Sequence, residues 1–333
     1  MESAGATDMG RFRRLVTATI VATFILILIG GIVRVSDSGL GCGPAGSGTQ
    51  GWPLCEGGVL PAASAESVIE YSHRIAAGIV SVLMLMVAWR AWRNLREHRL
   101  IVGVSAASGV LVLAQAGLGG LTVEEGLDEY LVAAHLGLAM IFLAALFTLR
   151  RLASGSEPAP AQGSGLLRKL SALTAVLVLA TIVAGGLVAG TEGEGTPTEP
   201  VLGAHTACGE QFPSCLDSFM PFGLDRLVDI QLVHRLFMYL TAIAVLALVA
   251  VAIRQRAPSR SFAAVGGLVA AQIILGAANV WLGKHAGLIV AHLSLGTIIW
   301  ATIVYANTTL MRIPAPVAAR ARRRDAAGEA AAA

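Results

Sequence analysis

Glu70-Tyr71-Ser72-His73-Arg74 places a carboxyl, an imidazole and a guanidinium within five residues, at the head of an apolar run that continues to Ala88. Glu70 and His73 are three apart and share a face if the run is helical. Groups of these types can move a proton, ligate a metal or hold an anion. Ionisable residues inside a membrane span are costly and by default mark a function. The pattern recurs at Gln231-Leu232-Val233-His234-Arg235, with Gln in place of Glu. A carboxyl ionises and an amide does not, so the two places are expected to share a frame and differ in reactivity.

Seven histidines are present. His98 lies among arginines in a connection and reads as solvated, His205 lies beside Cys208, and His285 follows Lys284 in a short turn. His73, His135, His234 and His292 take equivalent places in two halves of the chain, each near the same end of an even-numbered apolar segment. Gln115 to His135 and Gln272 to His292 are equal intervals, and Gly30-Gly31-Ile32-Val33 resembles Gly185-Gly186-Leu187-Val188. One such histidine could serve only as interhelical hydrogen-bond glue. Two repeat-related pairs at one depth point to a metal or cofactor held between facing helices. Zinc fits poorly, because no Cys, Asp or third His converges at that depth. Haem iron fits, since it takes two axial imidazoles from opposite faces and its macrocycle suits an apolar bundle. Ala77, Ala139 and Gly296, each four residues after a histidine, leave room for a ring; Met238 does not.

Arg74 and Arg235 are candidate propionate contacts, because Arg binds carboxylates in a bidentate manner. The competing partner of Arg74 is Glu70, and that of Arg235 is Asp229. The Glu70/Gln231 difference assigns roles. A site that only holds a haem needs no acid, whereas a carboxyl beside a haem edge can exchange a proton or stabilise a developing cation. The N-terminal half is expected to be reactive and the C-terminal half to keep a permanent haem. The alternative is that Glu70 serves only as Arg74's ion-pair partner.

The elements that must position these groups are long and apolar. Of 333 residues, 55% are hydrophobic and 14% charged, with mean hydropathy +0.72. About a quarter of a soluble chain is charged, so the composition indicates an all-α integral membrane protein. Eight segments can each cross a bilayer, which takes about 20 residues: Leu15–Val33, Val68–Ala88, Leu100–Thr122, Tyr130–Leu149, Leu170–Ala189, Leu227–Ile253, Phe262–Leu282 and Ala286–Leu310. The first follows Arg11, Arg13 and Arg14 but is too long for a signal-peptide core and lacks an A-x-A-like site, so it reads as a retained helix. Four helices per half give two four-helix bundles related by a pseudo-two-fold axis along the membrane normal. The expected division is 1–152, a linker at 153–165, 166–312, and a disordered tail at 313–333.

Of the 24 Lys and Arg residues, 19 fall on the side of the termini and three on the other, Arg34, Arg226 and Lys284. By the positive-inside rule both termini are cytoplasmic and the protein is multi-pass in the cell membrane. The long outer loops, 36–67 and 190–226, each hold two cysteines in an oxidising compartment. One bridge per loop, Cys42–Cys55 and Cys208–Cys215, is the economical pairing; free thiols or a redox-active pair are the alternatives.

Together, ExxHR on the second helix, xxxHR on the sixth, single histidines on the fourth and eighth, and cysteine pairs in the first and third outer loops resemble the haem A synthase family over nearly the whole chain. The resemblance implies oxidation of the C8 methyl group of haem O to a formyl group, giving haem A for terminal oxidases. It implies that His73 and His135 flank the substrate haem O, that Glu70 is the catalytic carboxylate, and that His234 and His292 ligate a haem b cofactor. Expected partners are haem O, membrane lipid, haem O synthase, oxidase assembly factors and an electron donor, with no nucleic acid; a homo-oligomer is compatible with the pattern. The chain departs from the family in its wider first cysteine pair, where Gly43–Gly51 reads as an insertion. Two other classes compete. A quinol-linked di-haem b-type electron-transfer cytochrome explains four histidines but not the Glu70/Gln231 difference. A haem transporter or chaperone predicts that Glu70 is dispensable.

Overall fold

The computed structural model describes residues 2–154, 164–192, 203–256, 260–283 and 285–311. Most of the expected linker, Lys284 and the tail from 313 lie outside them. The described residues form eight long helices and no strand: α1 (Glu2–Val35), α2 (Ala65–Asn94), α3 (Arg99–Glu124), α4 (Glu129–Leu152), α5 (Gly165–Gly190), α6 (Arg226–Arg254), α7 (Arg260–Trp281) and α8 (Ala286–Leu310). All eight are long and apolar enough to cross a membrane. The chain is thus an all-α, eight-span membrane protein. Each helix satisfies its backbone polar groups internally, as a hydrocarbon environment demands.

Side chains close the helix ends, where four N–H groups lack intrahelical partners. Ser64 accepts from Ser67 N–H at the start of α2, Asp128 from Tyr130 and Leu131 at α4, Ser164 from Leu167 at α5, and Asp225 from Leu227 at α6. The Ser64 cap sets Glu70 under two turns inside α2, with Asp225 doing the same for Gln231 in α6.

Helices α1–α4 form one four-helix ring and α5–α8 a second, in each of which sequential helices are neighbours and the first meets the fourth. The rings join along a seam where α4 and α8 meet α5 and α1. Trp300 donates its indole N–H to the Met140 carbonyl at 2.7 Å across this seam. Arg34 donates to the Ala189 carbonyl at 2.9 Å, and Arg226 pairs with Glu129. Gly186 fits closely against Ala133 and Leu136.

Apolar packing is concentrated away from the long loops. Phe12, Val16, Met84, Val87, Ala91, Leu146 and Leu149 form the core of the first ring at its terminus end. Leu248, Phe262, Val265, Ile303 and Leu310 do so in the second. The loop end of each ring carries the buried charged and amide side chains, including Glu70, Gln231 and Arg235. A densely packed plug therefore fixes the helix rotations that aim the polar groups.

Candidate functional site

All four candidate histidines lie at the loop end, and each packs in the same way. A Cβ on Gly30 would meet Cε1 of His73 at 3.0 Å, and the same distance separates Gly119 from His135, Gly185 from His234 and Gly276 from His292. The glycine stands on an odd-numbered helix and its histidine on the next, so every helix hairpin contributes one ring laid against bare backbone. Only glycine permits such approach without displacing the ring.

The rings pair within each half. His73 and His135 are electrostatic neighbours, as are His234 and His292, with His205 of the third loop beside the second pair. Nδ1 of His234 lies 3.0 Å from the Thr181 carbonyl. The Leu26 carbonyl takes the equivalent place beside His73, without meeting hydrogen-bond geometry. Nδ1 of His73, His135 and His292 is buried without a partner. Among the described residues no hydrogen bond reaches Nε2 of any of the four. A neutral imidazole with an uncommitted Nε2 is able to ligate a metal.

Glu70 is 3% exposed. Its Oε2 accepts from the Cys42 backbone N–H at 2.7 Å, and its Oε1 accepts from Arg74 Nε at 3.1 Å and from Arg74 Nη2. Both oxygens face N–H donors, which is the arrangement of an ionised carboxylate, an acceptor only. Gln231, at the equivalent position, is 6% exposed, and its Oε1 is buried without a partner.

The arginines reach the loops. Arg74 Nη1 donates to the Leu54 carbonyl at 2.7 Å. Arg235 Nη1 donates to the Ser214 carbonyl at 2.8 Å and Nη2 to the Gln211 carbonyl at 3.0 Å, with the guanidinium over the Phe212 ring. Leu54 and Ser214 both stand between a proline and a cysteine, in Trp52-Pro53-Leu54-Cys55 and Phe212-Pro213-Ser214-Cys215. Asp229, the rival partner considered for Arg235, instead accepts from Gly223 N–H at 2.7 Å.

Each long loop is closed by a disulfide, Cys42–Cys55 and Cys208–Cys215. The four cysteines are buried. Cys55 and Cys215 each begin a tight backbone bridge, to Gly58 and Ser218. Ser67 Oγ donates to the Gly41 carbonyl at 2.5 Å, so the first loop is bound to α2 at Ser67, Glu70 and Arg74. Trp52 lies against Gly120 of α3, and Phe212 against Trp281 of α7. Each loop thus roofs its ring with an aromatic wedge.

The sequence reading placed Glu70, Arg74 and the four histidines, and the structure gathers them beneath the two roofs. It missed the four glycines as ring platforms and the arginine-to-loop bonds. The equal Gly119–His135 and Gly276–His292 intervals and the repeated aromatic-Pro-x-Cys motif were the available signals.

Comparison with known proteins follows the same lines. The family model COX15-CtaA, described as cytochrome oxidase assembly protein, matches residues 13–304. A protein of Halalkalibacterium halodurans named heme A synthase is 31% identical over 224 residues, 66% of this chain and 68% of that protein. A protein of Shouchella clausii with the same name is 29% identical over 228 residues, 67% of this chain and 70% of that protein. One of Alkalihalophilus pseudofirmus, also so named, is 37% identical over 136 residues, and there the chain spans less than half of the relative's length. With the match running across nearly all the spans and both histidine pairs, the chain belongs to the COX15-CtaA family of cytochrome oxidase assembly proteins.

Proposed function

We propose that this protein is a haem A synthase, which oxidises the C8 methyl group of haem O to a formyl group. The single observation that carries the reading is the asymmetry of two matching frames. Both hold a histidine pair on glycine platforms, yet only one holds a buried carboxylate, Glu70, where the other has Gln231. A di-haem electron-transfer protein needs no such difference, and a carrier does not need Glu70.

The residues fit haem. Three of four Nδ1 atoms are buried without a partner, Nε2 is uncommitted, and ring and glycine are in contact at all four places. His234 and His292 would hold a resident haem b in the second ring, and His73 and His135 the substrate haem O in the first. When bound, haem b supplies one-electron redox chemistry.

The chain's own residues do the rest. The Trp52 roof and the Cys42–Cys55 loop shield the first ring from water, which strengthens the electrostatic interactions made there. Glu70 keeps a negative charge in that dry site, fixed by Arg74 and the Cys42 amide. A carboxylate so held stabilises positive charge developing at the carbon that is being oxidised. Oε1 already accepts two N–H donors and Oε2 one, so Oε2 is the oxygen with a lone pair left to take a proton. Arg74 and Arg235 hold the roofs, and Arg235 Nε, buried without a partner, is the donor left for a propionate.

The two rings are then separate working units, residues 1–152 and 166–312. The lysine and arginine distribution orients the roofs outward and both termini towards the cytoplasm of the cell membrane. Leu60, 75% exposed on the first roof, supplies the check. A Leu60→Cys variant should react with an impermeant thiol reagent added to intact cells; reaction only after lysis reverses the orientation.

The test of the function is expression in a host that makes haem O, followed by chromatography of the extracted haems. Haem A, with haem B, is the expected result. Haem B alone favours the electron-transfer reading.

A further inference from the structure

Two glutamines, one in each ring, are arranged alike and have no part in the scheme above. Gln115 on α3 donates its Nε2–H to the backbone carbonyl of His135 at 2.9 Å. Gln272 on α7 donates in the same way to that of His292 at 3.0 Å. Oε1 of each glutamine is buried without a partner, and so is Nδ1 of each histidine it reaches. The amide cannot be reversed, because its oxygen would then face the carbonyl oxygen. Each ring therefore holds an unpartnered acceptor and an unpartnered ring nitrogen on the same glutamine–histidine pair. Each glutamine also stands one helical turn before the glycine against which that histidine's ring rests, Gly119 or Gly276. The other two histidines have a different neighbour, a backbone carbonyl of the preceding helix, which for His234 is that of Thr181 at 3.0 Å.

We infer that Gln115 and Gln272 are positioning residues for His135 and His292. When Nε2 ligates iron, the ring proton resides on Nδ1; the two atoms are not bonded to one another here, and a turn of the imidazole lets Oε1 of the glutamine accept that proton as a hydrogen bond. Nε2–H of the same carboxamide stays on the histidine's own backbone, so one side chain fixes both ends of the ligand. The inference rests on the haem reading of the two pairs and adds what orients each α4 and α8 ring.

A histidine that donates its second N–H is a more basic ligand, and a more basic ligand favours ferric over ferrous iron. Removing the acceptor must therefore raise the midpoint potential. The experiment is a potentiometric titration of haem b in purified full-length protein, with haem content measured alongside. Gln272→Leu is expected to retain haem b and to raise its potential by a tenfold change in relative ferric and ferrous affinity, ~59 mV for a one-electron couple. Gln115→Leu, in the other ring, should leave that potential unchanged and weaken haem O binding by roughly 10-fold. Gln272→Met, unbranched and with only a weak sulfur acceptor, carries the same test if the leucine variant does not insert. Haem b held at the wild-type potential in the Gln272 variant overturns the assignment. Wild-type protein that purifies without haem overturns instead the reading beneath it.

Discussion

Glu70→Gln should cut haem A output by about 10²–10⁴-fold, the usual loss when a group acting on the transition state is neutralised. Gln231 shows that an amide is accepted at this position of the frame, so the variant should fold and keep its haem b spectrum. Haem O, or a partly oxidised hydroxymethyl product, should accumulate. Glu70 also accepts from the Cys42 N–H, and the amide oxygen of the variant can still do so. What the variant loses is the negative charge beside Arg74. Extracted-haem chromatography gives the output, and mass spectrometry without reduction checks that Cys42–Cys55 stays closed. Native haem A output from Glu70→Gln would reduce Glu70 to Arg74's partner and return the lead to the electron-transfer reading. The reverse change, Gln231→Glu, should leave activity largely intact.

The second large effect is division of labour between the pairs. His234→Ala and His292→Ala should each strip haem b from the purified protein, because a bis-imidazole site loses half its ligands. His73→Ala and His135→Ala should leave the haem b spectrum in place and abolish product. Gly276→Val should copy His292→Ala. A Cβ there already sits 3.0 Å from Cε1, and the added methyls must push the ring aside. Spectra and haem A output of all five variants check this. Four histidine variants with full haem and full activity would remove the ligand assignment.

The membrane class and the eight spans were legible because an apolar run of bilayer length has few alternatives. Helix ends were less so. The apolar run of the second segment begins at Val68, but the helix starts at Ala65, where Ser64 caps it, and it runs on to Asn94 past the end of the apolar run, with Ala91 still buried in the core. Side-chain partners were legible when both lay on one helix, as with Glu70 and Arg74, or in one loop, as with Cys42 and Cys55 and with Cys208 and Cys215. The glycine platforms depend on how neighbouring helices are rotated, which no periodicity within a single helix reveals. The Arg74 bond to the Leu54 carbonyl depends on the path of an irregular loop. A basic residue near a carboxylate pattern reads equally as an ion pair, a ligand contact or a loop clasp until the backbone is in place.

Each histidine pair is complete within one ring, His73 and His135 on α2 and α4, His234 and His292 on α6 and α8. That has a consequence for the order of events during synthesis. A chain emerges from its N-terminus, and domains form as units in that order. Both groups of the first pair, with their glycines, are in the membrane once α4 is inserted, before the helices of the second ring follow. Assembly of the first pair therefore does not wait for the second. The seam, closed last by Trp300 of α8 on Met140 of α4, brings together two sites that are already formed.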